Sequence, residues 1–171
     1  EVFEYRRIRI KERDWPQAAE KVRGAVPSAL TPAEGGLYCL WQPQIGVSIF
    51  EGVVVTTWPD VMTALENGYR LLSGIDDVVR SSAEILVPVA RAKAAAPLTV
   101  SGFYSNRWFE VSLDNLDRFV ELSLSTWPQW EKENDTEVVG LWRSLSVHDR
   151  GTCRVLLAVR YPTLGHWQNS R

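Results

Sequence analysis

Two stretches decide how this chain is read. One is Leu37-Tyr38-Cys39-Leu40-Trp41 with Val53-Val54-Val55-Thr56-Thr57-Trp58-Pro59. The other is Val138-Val139-Gly140-Leu141-Trp142 with Leu156-Leu157-Ala158-Val159-Arg160-Tyr161-Pro162. Trp142 follows Trp41 at a spacing of 101 residues, and Leu141 follows Leu40 at the same spacing. Read backwards without a gap, that spacing sets Pro128 on Pro27, Glu121 on Glu20, Leu116 on Trp15 and Val111 on Ile10. Read forwards, Tyr161-Pro162 falls on Trp58-Pro59 once two residues are added between the paired strands, where a hairpin loop tolerates them. Few residues are identical, yet the apolar phase is kept, which marks one unit written twice.

The flanking segments repeat the same order. Residues 5–10 alternate with period two, Ile8 and Ile10 facing one way and Tyr5, Arg7 and Arg9 the other. Asp14 predicts a helix N-cap, with Gln17 completing a capping box. Trp15, Ala18, Ala19 and Val22 make that helix's apolar face, and Gly24 and Pro27 are expected to weaken its end. Strands over 37–42 and 49–58 follow, then a helix from Trp58-Pro59-Asp60 with Val61, Leu65 and Tyr69 as its apolar positions. A strand over 83–90 closes the set, and Pro88 predicts an edge position for it. The order β-α-β-β-α-β is the ferredoxin-like split unit.

Lys93-Ala94-Ala95-Ala96-Pro97 reads as a linker, giving a first repeat over 1–97 and a second over 98–171. In the second, a strand over 107–113 sets Phe109, Val111 and Leu113 against Trp108 and Glu110. Asn115 takes the capping place of Asp14, and Leu116, Phe119, Val120 and Trp127 form the buried helical stripe. Strands over 138–143 and 153–160, joined by His148-Asp149-Arg150-Gly151, precede a helix from Pro162. The counterpart of the strand over 83–90 would fall past Arg171, so the second repeat is expected to lack its last strand. The fold class is α+β, as tandem ferredoxin-like repeats.

An apolar content of 45% over 171 residues is enough for a real core. A net charge of −2 with interspersed signs leaves no basic stripe for nucleic acid. No apolar run approaches the roughly 20 residues of a membrane span. The opening Glu1-Val2-Phe3-Glu4 has neither a signal-peptide pattern nor Met and reads as a trimmed start. Cys39 and Cys153 lie in expected strands without metal-ligand spacing, as reduced, buried thiols that suit the cytoplasm. Aligned charges swap sign: Arg9 falls on Glu110, and Glu51 on Arg154. First and third strands are antiparallel neighbours in this topology, so Arg9–Glu51 and Glu110–Arg154 are expected ion pairs on the face away from the helices. Two sheets packed face to face would enclose them with Val53, Val55 and Leu156. A solvated face would leave each pair contributing about 0–1 kcal/mol.

Several stretches carry a family likeness. They are Trp108-Phe109-Glu110-Val111-Ser112-Leu113-Asp114-Asn115-Leu116-Asp117, Gly140-Leu141-Trp142, Arg160-Tyr161-Pro162-Thr163-Leu164-Gly165-His166-Trp167 and Ser82-Ala83-Glu84-Ile85-Leu86-Val87-Pro88. With them the chain resembles a NIPSNAP-type member of the dimeric α/β-barrel superfamily. The resemblance implies two ferredoxin-like halves forming a barrel within one chain, and a capacity for homo-oligomers. It also implies relatives among cofactor-free monooxygenases, haem-degrading enzymes, polyketide cyclases, muconolactone isomerases and chlorite dismutase-like haem proteins.

No phosphate loop, dinucleotide fingerprint, zinc spacing or nucleophile elbow is present in the sequence. His166, early in the last helix and below Tyr161, is a candidate general base or haem ligand; its bland reading is an exposed helix histidine. His148 beside Asp149 sits in a tight hairpin, a poor place to orient a base. Trp108, Trp142, Tyr161 and Trp167 are candidates to line an apolar pocket, with Arg143 as a donor fork for a carboxylate or enolate. Core packing is the plainer reading of each. The expected ligand is a small apolar or aromatic metabolite handled without a metal in the second repeat, with His166 and Tyr161 as the catalytic candidates, by cyclisation, isomerisation or cofactor-independent oxygenation. The competing reading is a non-catalytic NIPSNAP-like interaction module, and a third is haem binding.

Overall fold

A computed structural model of the chain describes residues 1–11, 13–29, 35–92, 97–146 and 151–171, with the backbone alone at 27–29. Linker residues 93–96 and the hairpin residues His148, Asp149 and Arg150 lie outside the described residues. The chain divides into two compact units, Glu1–Leu86 with Ala94–Leu98 and Val87–Lys93 with Thr99–Arg171. The architecture is α+β, built of antiparallel strands and, among the described residues, four α-helices.

The first unit runs β1 (Val2–Ile10), α1 (Trp15–Ala29), β2 (Gly36–Trp41), β3 (Glu51–Trp58), α2 (Val61–Asn67), a 3-10 turn at Arg70–Leu72 and β4 (Val78–Ala90). Its strands lie in the order β2-β3-β1-β4. Val2, Ile8 and Ile10 of β1 and Val54 and Trp58 of β3 face the helices. There Trp15, Ala18, Ala19, Val22, Val26 and Ala64 pack on them. Burying each large side chain of this set contributes roughly 1.5–3 kcal/mol. Asp14 Oδ1 accepts the Gln17 N–H at 3.0 Å and so caps α1, which runs through Gly24 to Ala29 because its apolar face is anchored along its length. The Trp15 ring lies on Gly52, where a Cβ would come within 1.7 Å of it.

Three expectations are corrected here. β1 starts at Val2 rather than Tyr5, which brings Glu4 into the sheet. In α2, capped by Asp60 Oδ1 on the Thr63 N–H at 2.9 Å, Leu65 and Tyr69 are exposed while Ala64 and Gly68 are buried. The phase is set by what lies beneath: a Cβ on Gly68 would meet Glu4 Oε2 at 1.8 Å, so only the small-residue side of α2 fits. The edge position expected from Pro88 is not met, since β4 has β1 on one side and β6 on the other in the strand order. Pro88 itself lies past Leu86, the last β4 residue paired with β1, so its missing N–H falls outside that ladder.

The second unit holds β5 (Phe103–Ser112), a 3-10 turn at Leu113–Asn115, α3 (Leu116–Asn134), β6 (Glu137–Ser144), β7 (Thr152–Tyr161) and α4 (Leu164–Asn169). The strand order is β4-β6-β7-β5, β4 running on from the first unit. Leu116, Phe119, Val120, Trp127 and Trp130 of α3 pack over Val111, Val155, Val159 and Tyr161. Asn115 makes no side-chain cap; the 3-10 turn occupies that place, the Leu116 N–H bonding back to Leu113. One irregularity occurs in both units. The β2–β3 register shifts between Leu37 and Cys39, and the β6–β7 register between Val138 and Gly140. No helix among the described residues is long and apolar enough to cross a membrane.

Candidate functional site

On the helix-covered side of β1, two of the alternating residues are charged. Glu4 is 1% exposed and Arg6 9%. Single charges buried there would be very costly, so the chain pairs them. Glu4 Oε1 accepts from Arg6 Nε at 2.5 Å, and Arg6 Nη1 donates to Ser81 Oγ at 3.1 Å. Burial pushes the Glu4 carboxyl above its ordinary value, while the charge and hydrogen bond of Arg6 pull it back. Both anion and cation are supplied by the chain itself.

The same side of β5 presents Phe103, Ser105, Arg107, Phe109 and Val111. Arg107 is half-buried, and its Nη2 donates to the Tyr161 hydroxyl at 2.8 Å. Its guanidinium carbon lies 6.0 Å from the centroid of the Trp130 ring, and Trp130 meets Tyr161 edge-on at 6.3 Å and 89°. Phe103 packs with Trp167, centroids 5.7 Å apart. Ser105 Oγ is buried and has no hydrogen-bond partner among the described residues. A cation, a phenol and a hydroxyl thus converge among aromatic rings.

The residues singled out from the sequence fall into separate places. Tyr161 is fully buried in this cluster, with Trp167 at its edge. Trp108 and Trp142 flank Leu156 on either side, on the opposite face of the sheet, and the Arg154 guanidinium stacks 4.2 Å over Trp108. Arg143 pairs with Val155, six residues along β7 from Tyr161, roughly 20 Å at strand spacing. His166 is held elsewhere: Nδ1 lies 2.8 Å from Thr163 Oγ1 and Nε2 3.5 Å from the exposed Asp135 carboxylate. Arg9 faces Glu51 in register and Glu110 faces Arg154, but the Glu51 carboxylate accepts from Arg7 at 2.6 Å, the diagonal neighbour. Arg9 is exposed over Phe50, and Glu110 is exposed.

Glu4, Arg6, Ser105, Arg107 and Trp130 escaped the sequence reading. The signal was present, since the spacing of 101 places Ser105 on Glu4 and Arg107 on Arg6.

In each unit this strand order, with helices packed on the sheet, is that of a ferredoxin-like fold. Three solved structures share it. A proposed monooxygenase from Lactobacillus acidophilus NCFM matches at TM-score 0.55 and 8% identity, over 99% of this chain and 80% of that one. One from Fusobacterium nucleatum subsp. nucleatum ATCC 25586 matches at TM-score 0.54 and 9% identity, over 99% and 79%. A proposed chlorite dismutase matches at TM-score 0.55 and 7% identity, over 99% and 83%. At such identities the likeness is one of fold. No protein-family model matches the chain, and no curated protein sequence does.

Proposed function

We propose that the chain binds a small, flat, largely apolar metabolite on the helix-covered face of its second unit, with Arg107, Tyr161 and Trp130 as the polar end of the site. One observation carries this reading: a half-buried guanidinium held by a phenol and an indole, with no carboxylate beside it among the described residues. Tyr161 accepts from Arg107, which leaves its own proton to donate to a ligand oxygen. The Arg107 fork can steady an enolate or similar oxyanion. Proton transfer with positioning suffices for isomerisation, cyclisation or cofactor-independent oxygenation. Two fold neighbours described as proposed monooxygenases support the last of these.

We read the two units as tandem repeats of one ancestral element, with repeats over 1–97 and 98–171. The shared order β2-β3-β1 and β6-β7-β5 supports this, as does the shared register shift. Kinship with NIPSNAP proteins rests on the stretches quoted above. Free, buried Cys39 and Cys153 support a reducing, cytoplasmic setting.

A thermal-shift screen with planar aromatic ketones, phenols and acids tests the binding reading. A saturable rise in Tm that Trp130→Leu removes would support it; no response across the panel would refute it. A second reading, an interaction module or self-associating protein, draws on Met62 and Leu65, exposed on α2, and on exposed Tyr69 just past its end. A concentration-dependent dimer in sedimentation, abolished by Leu65→Lys, would favour it.

A further inference from the structure

The two units answer the same electrostatic problem differently. Register pairs from Val2–Trp58 to Arg9–Glu51 correspond one for one with those from Phe103–Tyr161 to Glu110–Arg154. Glu4 therefore has Ser105 as its counterpart, and Arg6 has Arg107. In the first unit the Glu4 carboxylate sits 2.5 Å from Arg6 Nε, buried. In the second the cation is kept and the anion is gone. Its place on the strand belongs to a serine whose Oγ is buried without a partner. Arg107 has the Tyr161 hydroxyl on one nitrogen and the Trp130 ring nearby, and its remaining donors meet no carboxylate among the described residues. A half-buried guanidinium so placed is short of an anion, and a buried hydroxyl beside it is short of an acceptor.

We propose that the ligand of this site is a carboxylic acid whose carboxylate takes the place that the Glu4 carboxylate fills in the first unit. Arg107 holds it through the donors left after Tyr161, Ser105 Oγ donates a second hydrogen bond, and the apolar body lies against Trp130 and Phe103. The first unit thereby shows, in its own side chains, the contact that the second makes with a ligand. This identification rests on the small-molecule reading of the same site and names its substrate class.

The test uses the full chain with 1-naphthoate and its uncharged analogue 1-naphthamide, each titrated by calorimetry. Wild type is expected to prefer the acid by about tenfold or more, the scale of one charge-assisted hydrogen bond. Ser105→Glu restores the carboxylate of the first unit and is expected to bring the acid-to-amide ratio to about one or below. Arg107→Gln, which adds no bulk, should do the same. Equal binding of acid and amide by wild type would overturn the carboxylate assignment while leaving the small-molecule reading standing. A preference unchanged in both variants would overturn it as well. Binding of neither probe by wild type would overturn the small-molecule reading and this inference with it.

Discussion

Set side by side, the two units keep the same ladder and exchange what fills it. Trp15 over Gly52 in the first corresponds to Leu116 over a core containing Val155 in the second. Where the first unit sets a large ring on a bare backbone position, the second has two medium side chains, so both fill the space between helix and sheet. Asp60, the N-cap of α2, corresponds to Thr163, the N-cap of α4. Glu4 and Arg6 satisfy each other, whereas Ser105 and Arg107 do not. Where the exchange conserves volume or a cap, it maintains the fold. Where it leaves a half-buried cation without an anion, it opens a place for something from outside.

The sharpest break in this comparison is Glu4→Ala against Ser105→Ala. Removing the carboxylate strands Arg6 in the core and should cost about 3–5 kcal/mol in chemical denaturation. Losing an unpartnered hydroxyl at 105 should change stability by about 0.5 kcal/mol or less. Similar costs would mean that the two positions are not alternatives. Next comes packing. Gly52→Val should destabilise by about 1–3 kcal/mol, because its side chain meets the Trp15 ring. Adding Trp15→Leu, which copies the second unit, should recover much of that loss, and strict additivity of the two would argue against volume exchange. Tyr161→Phe removes the acceptor of Arg107 and should cost about 1 kcal/mol, with weakened binding of aromatic acids.

The smallest effects are in pH dependence, and their signs differ. The Glu4 carboxyl is raised in the folded state, so its contribution is full below the ordinary carboxylate value and is lost as pH rises through the raised one. Asp60 is lowered, chiefly by the Thr63 N–H it accepts, so its contribution is present above the ordinary value and is lost as pH falls through the lowered one. Asp60→Thr, copying α4, should flatten the acid side of a Tm-against-pH curve. Glu4→Gln should flatten the side above the ordinary carboxylate range. An unchanged curve in either variant would contradict the assigned direction.

Much of the fold could be read in the residues because it rests on apolar periodicity: Trp15, Ala18, Ala19 and Val22 on one side of α1, and Val111, Val155 and Val159 in the second sheet. What escaped was polar or small. Glu4 on a buried strand face runs against the alternation that marks a strand, so that alternation is visible only from Tyr5 onward. Ala64 and Gly68 face inward with too little apolar surface to signal it, and Leu65 and Tyr69 pointed the other way. His166 drew notice by its residue type, yet its direction depends on Thr163 and on Asp135 just past the end of α3, a contact that spacing does not reveal. Arg107 is an unremarkable strand arginine until Tyr161 and Trp130 are seen around it.

The most direct test of the account is to watch each unit's tryptophans as a ligand binds. With indole N–H resonances assigned by single Trp→Phe variants, titration of 1-naphthoate should shift Trp130 and Trp167 in the second unit. Trp15 and Trp58 in the self-satisfied first unit should stay in place. Shifts confined to Trp15 and Trp58, or no shift in any of the four at saturating acid, would contradict it.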